Sequence, residues 1–498
     1  MNLAEENKQD QTEGSGTPKK KKGRRFAVFL ISGMLAVLLL IYGGIAIFYQ
    51  SHFLPHTQIN QFDCGNLDVM EAARLFESQA QGYTLEVTGR DWKRVSQEEE
   101  VSKAVLGVLG AQDLHLSLKD AEKSIQGLLD QQNPLLWIQI FLGKSQSFQL
   151  SLYYEYDEAV LEKTVRKWEA FQTKNMTKPE NASISEYTDG GYSILPETKG
   201  TLLDIPGAIE AIREMVYEGT QKADLDEMGC YKTASVTADD PKLLESWAMM
   251  NKWVQTRITY DWNGQEIVVD GEKIHEWISR EDTSSQIGQP VLDEEAVAAF
   301  VAETARQCDT YGKKRKFTTF LGEELTLPSG AYGWRTDRKE ETEELIQLIY
   351  QGSVVEKEPV YITRAANKGK NDIGSSYVEI DLSNQHLYLF QEGEVVLETD
   401  FVSGNMSKEG YMTPPGVFGL TYKTRNAVLR GENYETPVNY WMPFNGNVGM
   451  HDSTWRRSYG GDIYLTSGSH GCINLPLDMA KQIYEYVSTG FPVICYYY

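Results

Sequence analysis

Residues 26–49 run for 24 positions without a charge, as FAVFLISGMLAVLLLIYGGIAIFY, which as a helix is long enough to cross about 30 Å of hydrocarbon. Beyond them the apolar positions recur on shorter scales. Helical spacing marks VMEAARLFESQA at residues 69–80, and again residues 111–129 and 156–171; YTLEVTG and residues 147–154 alternate like strands. Residues 258–271 read as a hairpin between the turn pairs Asn263-Gly264 and Asp270-Gly271, its aromatics serving the core or a saccharide or peptide surface. In the last 140 or so residues the pattern is mostly strand: SSYVEIDL, HLYLF and VVLETDFVSG are separated by Ser383-Asn384 and Glu392-Gly393. One helix follows Pro476, with Leu477, Ala480, Tyr484 and Val487 at helical spacing, and residues 491–498 form a closing strand. The fold class expected is multidomain: a single N-terminal transmembrane helix, two α+β modules, and a mostly-β C-terminal domain with one clear helix.

Two stretches of the middle resemble each other. Residues 194–219 and 326–352 share a Leu-Pro, a central Gly and a closing Tyr-x-Gly, with Gly200 and Gly333, Tyr217 and Tyr350, and Gly219 and Gly352 each 133 apart. Two related modules, 60–220 and 221–352, account for this most simply. A linker at 351–359 then leads to a last domain, 358–498.

Charge adds topology. Residues 1–25 carry seven Lys/Arg against four Asp/Glu, leaving the rest of a chain of net charge −23 at −26. So acidic a body repels a phosphate backbone, which excludes nucleic acid as a partner. The basic flank before the apolar run places residues 1–25 in the cytoplasm as a tail, 26–49 in the membrane and all that follows outside. A cleaved signal shares the basic start and apolar centre, but 24 residues is long for one and no small-x-small site closes it. The five cysteines are scattered and odd in number, so at least one thiol is free or paired between molecules. Cys64, Cys230, Cys308 and Cys495 read as small core hydrophobes, with a Cys230–Cys308 bridge left open.

The chemistry concentrates at HDSTWRRSYGGDIYLTSGSHGCIN, residues 451–474. Cys472 has His470 two residues before it and His451 twenty-one before it, in a protein with seven His and five Cys. A thiol at its ordinary pKa of about 8.5 is a few per cent ionised at neutral pH and needs a base within hydrogen-bond reach, or a helix N-terminus, to act as a nucleophile. His451, arriving from a separate segment, is free to approach the sulfur squarely and is the favoured base; His470 is a second imidazole near the substrate. Asp452 orients His451 through its carboxylate or its backbone C=O. Gly468 and Gly471 permit a tight bend that aims N–H groups at an oxyanion, and Ser469 and Asn474 suit fixing that bend or bonding a peptide. The parts together describe acyl transfer through a thioester.

Ser469-His470-Gly471-Cys472-Ile473-Asn474, with His451 upstream, resembles the signature of the L,D-transpeptidases, the YkuD-type catalytic domain of bacterial peptidoglycan enzymes. The resemblance extends over 358–498 and includes Val402-Ser403-Gly404, Thr413-Pro414-Pro415-Gly416-Val417-Phe418 and Tyr440-Trp441-Met442-Pro443-Phe444. The two upstream modules resemble, less specifically, the peptidoglycan-binding modules of membrane-anchored Gram-positive members. The resemblance implies Cys472 as nucleophile, His451 as general base, and the C=O of Asp452 as its orienting group. His470, Gly471 and Asn474 would then surround the donor peptide. The donor would be a tetrapeptide stem that loses its terminal D-Ala, and an amine of a neighbouring stem would resolve the thioester into a 3→3 cross-link. Asp452 stands where members often carry a small residue. No cofactor or metal is implied; the partners are peptidoglycan stem peptides and glycan strands. An L,D-carboxypeptidase, a wall-binding protein without activity and a zinc hydrolase using His451, His470 and Cys472 are the competing readings. Sequence leaves the oligomeric state open.

Overall fold

The computed structural model describes residues 22–94, 102–283, 286–431 and 434–498, so most of the expected tail, residues 1–21, lies outside the described residues. The chain divides into two compact units, Met1–Glu180 with Glu197–Ala234, and Asn181–Pro196 with Ser235–Tyr498.

The first unit begins with α1 (Lys22–Phe48), a helix whose apolar residues are exposed along most of its length, with Ala46 near its end buried. After it, α2 (Val69–Ala80) starts where a capping box can form: Asp68 accepts from the Glu71 N–H at 2.8 Å and Glu71 accepts from the Asp68 N–H at 3.1 Å. Strands β1 (Thr84–Arg90) and β2 (Lys103–Gly110) pair antiparallel. Helix α3 (Ile205–Tyr217) buries Ala208, Ile209, Ile212 and Val216 in the same core as Leu85 and Val87, and β3 (Lys222–Asp224) joins β1 in parallel. The helix expected over 111–129 is broken into Ala111–Leu114 and Ala121–Leu129 around a strand, Ser117–Lys119. His115 and Asp120 both sit at φ 51°, and a left-handed residue ends a right-handed helix whatever its apolar spacing. Likewise 147–154 is strand only at its ends, in Gln146–Phe148 and Tyr153–Glu155, and 156–171 is helical over Glu158–Val165 before a short 3-10 turn.

In the second unit, α4 (Pro241–Val254) leads to the hairpin of β4 (Arg257–Trp262) and β5 (Gln265–Val269), turned by Asn263 and Gly264 at φ 53° and 79°. Its aromatics belong to the core: Tyr260 and Trp262 are fully buried, the Tyr260 hydroxyl donating to Glu341 at 2.6 Å and the Trp262 indole to Thr336 at 3.1 Å. Helices α5 (Glu294–Cys308) and α6 (Arg338–Gln351) cover the sheet, flanking a second hairpin, β6 (Arg315–Thr318) and β7 (Glu324–Leu327). Strand β8 (Val354–Lys357) then joins β4 in parallel, as β3 joins β1. Gly219 and Gly352, 133 residues apart, hold like places after α3 and α6, both with positive φ.

The C-terminal part is two packed sheets. Strands β9 (Tyr377–Asp381), β10 (His386–Gln391), β11 (Glu394–Asp400), β12 (Gly416–Gly419) and, near the C-terminus, Pro492–Tyr496 make a five-stranded sheet in the order β11-β10-β9-(Pro492–Tyr496)-β12. The other, in the order β13-β14-β15-β16, contains β13 (Thr424–Gly431), β14 (Tyr434–Asn445), β15 (Val448–Asp452) and β16 (Ile473–Leu475). Between them Val378, Ile380, Leu387 and Leu389 meet Met442, Phe444, Met450 and Ile473, sealed by Ala480 and Ile483 of α7 (Leu477–Tyr486). A short helix, Ile463–Ser467, accompanies the one expected. Leu327 and Tyr332, beside the β6–β7 hairpin, share a buried cluster with Val417, Ile494 and Tyr496. All five cysteines are free, four of them buried and Cys472 partly exposed, so the Cys230–Cys308 bridge is absent.

Candidate active site

Parallel pairing of β15 with β16 sets Met450 opposite Ile473, His451 opposite Asn474 and Asp452 opposite Leu475. Opposed residues in a parallel pair point to the same side, and side chains alternate along each strand. Met450 and Ile473 enter the core; His451 and Asn474 therefore take the other face. Cys472, two residues before Asn474, is aligned with that face too. Sheet register thus brings together His451 and Asn474, 23 residues apart in sequence, with Cys472 just before the start of the strand that carries Asn474.

The protonation of His451 follows from its neighbours. Arg456, which can only donate, sends its Nε–H to Asn474 Oδ1 at 2.7 Å. The Asn474 amide nitrogen consequently faces His451 Nε2 at 3.1 Å. On the far side of the ring Nδ1 lies 2.9 Å from the backbone oxygen of Asp452, which can only accept. The proton is on Nδ1 and the lone pair on Nε2. His451 is 3 % exposed, with Trp441 and Trp455 rings 5.8 and 6.0 Å away, and burial holds its pKa below the ordinary value. The Asp452 carboxylate turns elsewhere, accepting from Asn439 Nδ2 and the Tyr440 N–H, both at 2.8 Å.

The sulfur lies in a bend that other side chains shape. Gly471 has φ +123°, which L side chains rarely adopt. Its N–H donates to Ser469 Oγ at 3.0 Å, the Ser469 hydroxyl donates to the Cys472 carbonyl at 2.6 Å, and the Thr413 hydroxyl donates to the Gly471 carbonyl at 2.7 Å while accepting from the Gly404 N–H. Gly468 packs so tightly on a neighbouring segment that a Cβ there would come 2.5 Å from the Asn405 nitrogen. Cys472 Sγ donates to the Asn447 carbonyl at 3.5 Å, and the Gly449 N–H points at the sulfur. Burial nevertheless pushes the thiol up to about 11. His470 is exposed, its ring 4.4 Å from that of Tyr411. Thiol and imidazole are thus both neutral at rest, and the sulfur's hydrogen bond runs to a carbonyl.

Residues 375–495 match the family described as L,D-transpeptidase catalytic domain, and residues 241–355 that described as "Putative peptidoglycan binding domain". A crystal structure of a cysteine-to-serine mutant of Enterococcus faecium L,D-transpeptidase is 36% identical, over 51% of this chain and 100% of that one (TM-score 0.41). The chain belongs to the L,D-transpeptidase family. The E. faecium catalytic domain, solved by NMR, shares 46% identity with this transpeptidase over 24% of its length and 96% of the other (TM-score 0.23). A Mycobacterium smegmatis L,D-transpeptidase shares 26% over 24% and 58% (TM-score 0.21). No curated protein matches.

The strand Ile473–Leu475 stands between Cys472 and α7, which begins at Leu477. Three groups escaped the sequence reading. Arg456 orients Asn474, Thr413 clamps the bend and the Asn447 carbonyl accepts the thiol's hydrogen bond. Arg456 was the discoverable one, half of an Arg pair five residues past His451 in an acidic protein. Asn447 acts through its backbone, for which no side-chain pattern exists. Among the described residues no three His, Cys, Asp or Glu side chains converge as a metal site requires.

Proposed function

We propose that this L,D-transpeptidase acts by forming a thioester at Cys472 with a tetrapeptide donor stem. The terminal D-Ala leaves, and the acyl group passes to an amine of a second stem as a 3→3 cross-link. The observation that carries the reading is the shared face of His451, Asn474 and Cys472. His451 Nε2 holds the lone pair of its ring and takes the thiol proton as the sulfur attacks the carbonyl. The proton then goes to the departing D-Ala nitrogen. The oxyanion meets backbone N–H groups at the Cys472 bend other than that of Gly471, which is already bonded to Ser469. His470, exposed beside Tyr411, faces the incoming peptide. The neutral amine of the second stem attacks the thioester carbonyl, Nε2 takes its proton as the C–N bond forms, and the imidazolium returns that proton to the sulfur as the C–S bond breaks.

The anchor is part of the same proposal. The charge-free stretch Phe26–Phe48, exposed along most of its length, holds the thiol outside the cell, where the polymer lies, and residues 60–352 bind the wall or space the active site from the membrane.

Intact mass tests the chemistry. Incubated with tetrapeptide stem, the protein gains the stem less one D-Ala, and C472A gains nothing; an equal adduct on C472A overturns the reading. Adding an acceptor stem separates the outcomes: a cross-linked dimer is transpeptidation, and released tripeptide alone is the carboxypeptidase.

A further inference from the structure

The 3-10 segment Pro134–Leu142 reads PLLWIQIFL, apolar but for Gln139. A nine-residue stretch of this kind in a water-exposed domain would ordinarily be buried. Here Leu135 is 56 % exposed, Ile138 49 % and Leu142 78 %.

Its place in the fold is fixed relative to α1. Gln132, 7 % exposed, donates to the backbone oxygens of Tyr49 and His52 at 2.7 and 2.6 Å and accepts from the Leu54 N–H at 3.0 Å, tying the approach to the segment to the end of the helix. The Tyr42 hydroxyl donates to the Leu135 carbonyl, and the Tyr42 and Trp137 rings lie 5.5 Å apart. The segment also has its own ends: Asn133 caps the start through the Leu135 N–H, and Gly143, left-handed, stops it. It is a docked, ordered piece with its apolar residues turned outward.

Tyr42 is six residues before Phe48, the last of α1, and at 1.5 Å per residue that is about 9 Å down the helix from its outer end. An apolar segment held at that depth beside a bare spanning helix meets lipid, because the same boundary that covers α1 covers it; interfacial segments seat about 5–10 Å into the headgroup and acyl boundary. Resting on the anchor reading, we propose that Pro134–Leu142 is a second membrane contact, embedded in the outer boundary of the bilayer beside α1. The ectodomain is then held by two points instead of one. Helix and segment meet at a crevice of about 510 Å³ lined by Ile45, Phe48, Trp137 and Ile140 and, toward the ectodomain, by Pro55 and His56.

The test uses the full-length protein in lipid vesicles, with Cys472 replaced by Ser and the four remaining cysteines buried. An environment-sensitive fluorophore is placed in turn at L38C within α1, at I138C and L142C in the segment, and at E122C on an exposed helix. Lipids carrying a nitroxide near the headgroup are expected to quench I138C and L142C, lipids with the nitroxide deep in the acyl region to quench L38C, and neither to quench E122C. Quenching at L38C with none at I138C and L142C overturns this proposal and leaves the anchor standing. No quenching at L38C overturns the anchor itself.

Discussion

Arg456 donates to Asn474 Oδ1 at 2.7 Å, and that bond turns the amide N–H toward His451 Nε2, so that with the Asp452 carbonyl on Nδ1 the lone pair lies on Nε2. The carboxamide has two ends of opposite character; with its oxygen committed, only N–H remains for the imidazole. Replacing Arg456 by Met frees the amide to turn its oxygen to Nε2, which favours a protonated nitrogen there. R456M is expected to lower the acylation kcat/KM roughly 10- to 150-fold, the range of one lost charged hydrogen bond of about 1.5–3 kcal/mol. Its acid limb moves to higher pH, and R456K restores part of the rate. A profile of unchanged midpoint would show that Arg456 only stabilises the loop.

The two neutral partners predict a particular pH response. His451 is buried, so its folded pKa lies below the ordinary value of about 6.5. Activity therefore holds at pH 6.5 and falls only below it. Alkylation of Cys472 by iodoacetamide, which needs the thiolate, keeps rising with pH toward about 11 with no plateau near neutrality. A plateau below pH 7 would mean that a thiolate–imidazolium pair exists at rest. Stability follows the same group: the His451 contribution is whole above about 6.5 and is lost as pH falls from there toward the depressed folded value, a slope that H451Q flattens in urea titrations.

Asp452 is expected to matter for folding more than for the base. D452A leaves Asn439 Nδ2 and the Tyr440 N–H without their acceptor at a cost of about 1–3 kcal/mol, read as a lower urea midpoint. The imidazole keeps its backbone acceptor. It loses a negative charge that raises its pKa, so the acid limb of activity moves to lower pH.

Glu379 is fully buried, and burial raises its pKa above the ordinary carboxylate value. Its Oε1 accepts from the Phe320 N–H at 2.8 Å and from the Tyr496 hydroxyl at 2.7 Å. A raised folded pKa means the folded protein keeps its proton longer, so stability from this group is present below about 4.3 and declines as pH rises through the folded value. E379Q retains an oxygen for both donors and cannot ionise; it is expected to raise the urea midpoint at pH 7.5 and leave it unchanged at pH 4.

Much of the architecture was legible because periodicity and turn chemistry agreed. The residues 69–80 stretch is the helix Val69–Ala80 because Asp68 and Glu71 cap it, and the Asn263-Gly264 turn closes the hairpin because both residues tolerate positive φ. Over 111–129 the reading failed at two left-handed residues: His115 and Asp120 look unremarkable in sequence and yet break a well-spaced apolar run. The thiol and its two histidines stood out by rarity. The pairing of His451 with Asn474 did not, since it depends on which residue of β15 opposes which of β16, and register across a crossover loop leaves no trace in either strand alone. The choice between the two acceptors on Asp452 was open for the same reason.

The hairpin of the second module is seated deeply in the sheet that follows it. Gly330 sits where a Cβ would fall 2.1 Å from the Val417 oxygen, and the Phe320 ring lies 4.3 Å from that of Tyr388. A swivel of hairpin on sheet would have to break both contacts, so the direction in which the thiol's mouth opens is coupled to whatever steers residues 241–355.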